Sequence, residues 1–307
     1  MGPVYVFSHV SRRHLVMLIA LAAIWGSSFM FIRVAVRELS PADVVLGRVL
    51  VGAVVLLPAV PFVLGWRRML AELRRFALPL VVLAIFNASL PFWLLAWSEK
   101  RLDSGLAAVL QASTPLFTAL LALGFSRGDR VTGGRLVGVV IGFLGVVLLV
   151  GAQPSGDVLS ALAVLLTALC YAGAALYAGL RLLQAPPIVT SFGTLAVATL
   201  TTLPIGIAQL PDQMPGWKAI GSVVALGSLG LSVAYLLYFA LIARAGASYA
   251  VLVTYLVPAL ALGYGAVFLD EAITAVALGG LALILAGVAL GTGTLRIPRR
   301  APVGETP

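Results

Sequence analysis

The chain has 307 residues, 61% hydrophobic and only 10% charged, with a mean hydropathy of +1.10, whereas soluble domains run at about 45–50% apolar and about 25% charged. A soluble fold of this size has nowhere to bury so much apolar surface. The apolar residues also come in continuous blocks of about 20 with no period-two alternation, which excludes an outer-membrane barrel. The formal charge of +9 resides mainly in arginines between these blocks, where it sets membrane topology; no nucleic-acid partner is expected.

In chain order, the first block covers residues 14–36 behind Arg12 and Arg13. It resembles a signal peptide at its start but runs past the usual apolar core and is followed by further spans, so a retained first helix is expected. Spans at 41–64 and 76–97 follow, separated by a loop with four arginines. The fourth, 105–125, is oily at both ends yet carries Gln111, Ser113, Thr114 and Pro115 in its middle. Blocks at 136–152, 159–182, 188–207, 220–243, 248–269 and 273–292 complete an all-α membrane protein of ten transmembrane helices.

With the N-terminus placed in the cytoplasm, the inner side holds Arg12, Arg13, Arg67, Arg68, Arg74, Arg75, Arg127, Arg130, Arg135, Arg181, Arg244, Arg296, Arg299 and Arg300. Only Arg37, Lys100, Arg101 and Lys218 fall outside. Fourteen against four predicts a multi-pass inner-membrane protein with both termini cytoplasmic.

Proline reveals an internal repeat. Pro115 and Pro258 lie 143 residues apart, and at the same offset Arg101 meets Arg244 and Gln111 meets Thr254. With a one-residue slip, Val131 and Thr132 meet Ile273 and Thr274, Gly138 meets Gly280, and Gly145 meets Gly287. Pro41 meets Pro187 at an offset of 146, setting Trp25 against Tyr171. Two halves are expected, 1–153 and 154–307, joined through GAQPSGD. A five-span unit that starts inside ends outside, so the second copy runs inverted, the symmetry that underlies alternating access in secondary transporters.

The opening LAAIWGSSFMFIRVAV, the ELSP turn followed by Arg48, and the proline-centred fourth and ninth spans resemble the EamA-type carriers of the drug/metabolite transporter superfamily. The similarity extends over residues 14–293. It implies ten helices around a central cavity and export of amino acids or related small metabolites. The smaller four-helix relatives use an essential membrane-embedded glutamate, for which this sequence offers no counterpart. A non-transporting membrane scaffold or receptor is the competing class.

The polar residues within the apolar blocks indicate where a cavity would lie. Proline leaves the carbonyl four residues back without its donor. Pro91 does this to Asn87, Pro115 to Gln111 and Pro258 to Thr254. Gln111, Thr114, Pro115 and Thr118 follow helical spacing and form one polar seam. Trp25 and Tyr171 are repeat equivalents, Ser232, Tyr235 and Tyr238 share a helix face, and Tyr255 adjoins Thr254. All these are candidate substrate contacts, with the packing of kinked helices by interhelical hydrogen bonds as the alternative.

Arg33 and Arg48 are charges inside apolar blocks. Arg33 is close enough to the outer surface to snorkel; Arg48 is the candidate anion contact, or an ion-pair partner of Asp43. The histidines, His9 and His14, stand at the N-terminal edge, and the sole cysteine is Cys170, so neither metal, cofactor nor enzymatic activity is expected. All eleven carboxylates fall in loops, termini or helix ends, which argues against a proton relay and for facilitated exchange. Gly134, Gly138 and Gly142 in the fifth span, with Gly287 and Gly291 in the tenth, form small-residue ridges suited to scaffold packing or a homodimer face. The expected partners are a small-molecule substrate and the lipid bilayer.

Overall fold

The computed structural model describes residues 12–125, 134–152 and 157–291. His9, Arg127, Arg130, Arg296, Arg299, Arg300, the 131–132 repeat match and the 153/154 junction lie outside the described residues. Among the described residues all regular structure is helical, as it must be where no water satisfies backbone groups. Among the described residues, seven helices are long and apolar enough to cross a membrane, and three shorter apolar ones accompany them. These are α1 (Arg12–Ala35), α2 (Pro41–Leu64), α3 (Ala77–Ser98), α4 (Ser104–Leu121), α6 (Val158–Arg181), α7 (Pro187–Ala208) and α8 (Trp217–Ala245). The shorter three are α5 (Gly134–Gly151), α9 (Val253–Leu269) and α10 (Ala275–Gly291). An arginine-rich linking helix, Trp66–Arg75, joins α2 to α3.

The packing carries the repeat. Helix α1 lies against α8 and α9, and α6 lies against α3 and α4. Helix α2 meets α7 and α8, α7 meets α2 and α3, and α5 pairs with α10. Exchanging each helix with the one five places on leaves these pairings unchanged. The irregularities repeat as well: π-helical turns occupy Ile85–Ser89 in α3 and Leu226–Val233 in α8. In α3 the wider turn lets the Leu90 N–H reach the Ile85 carbonyl, one residue before Pro91, which has no N–H to give.

The α5–α10 contact is close because glycines face each other across it. A Cβ on Gly138 would stand 2.8 Å from the Gly287 carbonyl, and one on Gly145 would stand 2.9 Å from that of Gly280. The ridges therefore close this helix pair within one chain. A homodimer on these helices would meet through their outward side chains, such as Val140, Leu144 and Val147, which are exposed.

Candidate functional site

The span α4 is built from two helical segments, Ser104–Gln111 and Thr114–Phe125, the second continuing past Leu121, parted at Ala112 and Ser113. Pro115 sits in the first turn of the second segment, where its missing N–H has no intrahelical partner to lose. The carbonyl of Gln111 is not bare as the sequence suggested: the Thr114 hydroxyl donates to it at 2.8 Å, and the Thr118 hydroxyl donates to Thr114 at 3.0 Å. The seam thus satisfies the Gln111 carbonyl from its own hydroxyls, while the Gln111 side chain lines the cavity with Oε1 buried and without a partner. Helix α9 is preceded by a separate turn, Ala247–Ala250, and the Thr254 hydroxyl donates to the Val251 carbonyl at 2.8 Å across the join.

Where α1, α2, α3, α4, α6, α8 and α9 converge they enclose a cavity of about 360 Å³. Of the residues singled out in the sequence, Trp25, Arg48, Asn87, Gln111, Thr114, Pro115, Tyr171, Tyr235, Thr254 and Pro258 all line it. It continues into a wider space of about 790 Å³ that adds Thr118, Ala178, Thr190 and Tyr238. This wider part lies toward the ends of α6, α7 and α9 that adjoin Arg181, Arg244 and the linking helix. At the other end, buried Phe29, Ile32 and Leu95 close the cavity.

Arg48 dominates the electrostatics. It is 5% exposed, lies 3.8 Å from the centroid of the Phe92 ring, and its Nε has no hydrogen-bond partner. Among the described residues no carboxylate comes within ion-pair distance of it. The expected pairing with Asp43 does not form. Asp43 instead completes a capping box with Ser40, its Oδ2 accepting from the Ser40 hydroxyl at 2.7 Å and the Ser40 N–H at 3.1 Å. Five residues of helix also turn Arg48 well away from the face Asp43 occupies. Tyr171, Tyr235 and, farther toward the closed end, Glu99 face Arg48, and the Asn87 side chain faces the Tyr235 hydroxyl.

Trp25 both lines the cavity and ties α1 to α8, its Nε1 donating to the Gly230 carbonyl in the π segment at 3.1 Å. Three candidates stand elsewhere, and a fourth, Tyr238, only in the wider part. Ser232 is buried in the α2–α8 contact, donating to the Gly52 carbonyl at 2.9 Å. Pro91 is buried, with the Thr167 hydroxyl donating to its carbonyl at 3.3 Å. Tyr255 packs on the main apolar core. Tyr238 lines only the wider part, its ring 5.5 Å from that of Trp25. The π segment ends at Val233 and rotates α8 out of plain 3.6-residue register, which separates Ser232 from the face of Tyr235.

The sequence reading also missed a charged cluster beyond the closed end. Glu99 caps α3 and is fully buried, with neither carboxyl oxygen hydrogen-bonded. Arg33, partly exposed in the last turn of α1, donates to the Glu99 backbone carbonyl and lies 3.9 Å from the exposed Asp103. Glu271 reaches from the α9–α10 connection to the N-terminus of α4. Helix-end position in the sequence makes Glu99 look solvated, whereas Asp103 is exposed as such a position suggests.

Comparison with known proteins agrees with this architecture. The model of the EamA-like transporter family matches residues 12–151 and again 158–292. The chain belongs to the EamA-like transporter family. It is a multi-span membrane transporter. It is 29% identical over 287 residues to a probable terminal-alkyne amino-acid exporter of Streptantibioticus cattleyicolor, covering 89% of this chain and 91% of that one. An uncharacterized transporter of Archaeoglobus fulgidus is 28% identical over 269 residues, 86% and 93% of the two chains. A probable amino-acid metabolite efflux pump of Escherichia coli K12 is 25% identical over 317 residues, 96% of this chain and all of that one. A solved crystal structure superposes with a TM-score of 0.63 at 19% identity, covering 92% of this chain and 97% of the other, and so shares the fold.

Proposed function

We propose that this transporter exports amino acids or related amphipathic carboxylates by alternating access between its two five-helix halves. The observation that carries this reading is Arg48, a buried guanidinium with no carboxylate within ion-pair distance among the described residues, facing a cavity walled by Trp25, Tyr171 and Tyr235. Such a charge is costly unless paired, and a bidentate donor suits a carboxylate. Asn87 and Gln111 supply amide groups for a second polar end of the substrate, and the aromatic rings suit an apolar side chain. The volume of about 360 Å³ is within the range of about 300–1,000 Å³ usual for small-ligand sites.

The arginine asymmetry assigns the wide end of the cavity to the cytoplasm, with both termini on that side. The conformation is then inward-facing, loading from the cytoplasm, in keeping with relatives named as exporters or efflux pumps and, for others, as inner membrane transporters. The test is counterflow in proteoliposomes. Preloaded amino acid should drive uptake of labelled amino acid, while the corresponding amine, lacking only the carboxylate, should not compete. Equal competition by the amine would refute the role given to Arg48. No counterflow across a broad set of amino acids and amphipathic carboxylates would refute the substrate class.

A further inference from the structure

The closed end of the cavity is held by a charged assembly built from four elements. Asp270 ends α9 in the left-handed region at φ 58°, a conformation that aspartate tolerates better than most residues. This reverses the chain so that Glu271 points back at α4. Its carboxylate accepts from the Ser104 N–H at 2.9 Å, the Ser104 hydroxyl at 2.8 Å and the Gly105 N–H at 3.1 Å. A Cβ on Gly105 would lie 2.8 Å from Leu262, so the two helices approach this closely only with glycine there. On the other side, Arg33 of α1 holds the Glu99 carbonyl and faces Asp103. The segment from Glu99 to Gly105 is thereby fastened to α1 and to the α9–α10 connection.

Glu99 lies within this fastening, fully buried, with both carboxyl oxygens lacking a donor. An ionised carboxylate only accepts hydrogen bonds, and buried without them it bears the full desolvation cost. We propose that Glu99 is a proton-binding site whose occupancy latches this end of the bundle shut. The groups facing it are Arg33 from α1, Arg48 from α2, and Glu271 from the α9–α10 connection; Asp103 completes the cluster, and Lys100 and Arg101 follow Glu99 in the chain.

Burial pushes the Glu99 carboxyl well above the usual carboxylate range, and the negative Glu271 adds to the shift, against the opposing pull of Arg33 and Arg48. Asp103 moves up by the same two causes. A group whose affinity for protons is raised in the closed state takes up a proton on closing. The latch is therefore strengthened at low pH and weakens as pH rises through the raised value. When this end opens, water reaches Glu99, its affinity returns toward that of an exposed glutamate, and the proton leaves on that face. Acid on the face remote from the arginine-rich loops thus drives the empty carrier back to the state open toward those loops. This inference does not depend on the identity of the substrate.

The experiment uses the full chain in lipid nanodiscs with Cys170→Ser and spin labels on cysteines replacing Lys100 and Lys218. These exposed positions lie on the α3–α4 loop, next to the latch, and at the start of α8. Without any substrate, the long-distance population should grow from about pH 5 to about pH 9, the open-to-closed ratio rising by up to about tenfold per pH unit between the two affinities. Glu99→Gln, neutral at every pH, should stay at the short distance throughout. A pH response that persists in Glu99→Gln, or a wild type that shows none, overturns the proposal. If Glu99→Gln does not fold, infrared spectroscopy of the wild type reads the same group. A protonated-carboxyl carbonyl band persisting at neutral pH supports the proton site, and its absence refutes it.

Discussion

Replacing Arg48 with methionine should make the protein more stable and less able to transport. The guanidinium is 5% exposed, within the membrane-spanning part of α2, and has no ion-pair partner among the described residues. An arginine at such a position costs about 2.5–3.5 kcal/mol. Its placement 3.8 Å from the Phe92 ring centroid returns about 2 kcal/mol when desolvated. The net burden is therefore about 1 kcal/mol, and methionine, which keeps much of the aliphatic stem, removes it. On the scale of larger domains this raises the melting midpoint by about 2–4 °C. The same substitution removes a charge-assisted hydrogen bond to substrate worth about 1.5–3 kcal/mol, equivalent to a rise of about 10- to 150-fold in KM. Thermal melts in nanodiscs beside counterflow kinetics measure both quantities on one preparation. A variant that melts earlier and keeps its KM would show that Arg48 holds the fold together, and the reading of the cavity would fail.

Three further outcomes follow from the geometry. Gln111→Ala should leave the melting midpoint unchanged or slightly raised, since Oε1 is buried without a partner; Thr254→Val should lose only about 0.6 kcal/mol with its local bond. Both should cut flux per folded molecule, and normal flux in both would make these residues packing elements. Gly287→Val should destabilise the α5–α10 pair by about 1–3 kcal/mol by overpacking against the Gly138 and Gly142 backbone, and an unshifted melt would contradict the packing described. In a Cys170→Ser background, a cysteine at Arg68 should be protected from an impermeant thiol reagent in intact cells while one at Asp157 reacts. The reversed pattern would invert the assigned orientation.

Most of the helices were legible in the sequence because crossing a bilayer is a local requirement, met by about 20 apolar residues in a row. The seam of Gln111, Thr114 and Pro115 was equally legible, since helical periodicity alone puts such residues on one face. Its backbone was not. Whether the carbonyl freed by Pro115 stays bare depends on where the helix breaks and on the rotamer of Thr114, which places a hydroxyl on it. Ser232 fell outside the cavity for a related reason: the π segment in α8 shifts the register on which the assignment of its face rested. Asp43 was available to Arg48 by sequence distance, but the Ser40 cap holds its Oδ2 on the helix N-terminus, a face turned away from Arg48.

Glu99 marks the boundary between the two kinds of information. In the sequence it stands between Ser98 and Lys100, next to a loop, where a carboxylate is ordinarily solvated. It is buried because Arg33, 66 residues earlier, and Glu271, far along the chain, draw the segment around it against other helices. Apolar length, charge asymmetry and helical spacing are properties of neighbouring residues, so the sequence by itself determined the spans and much of the cavity lining. Burial of a polar group depends on which distant segments exclude water from it, and only the tertiary structure decided that.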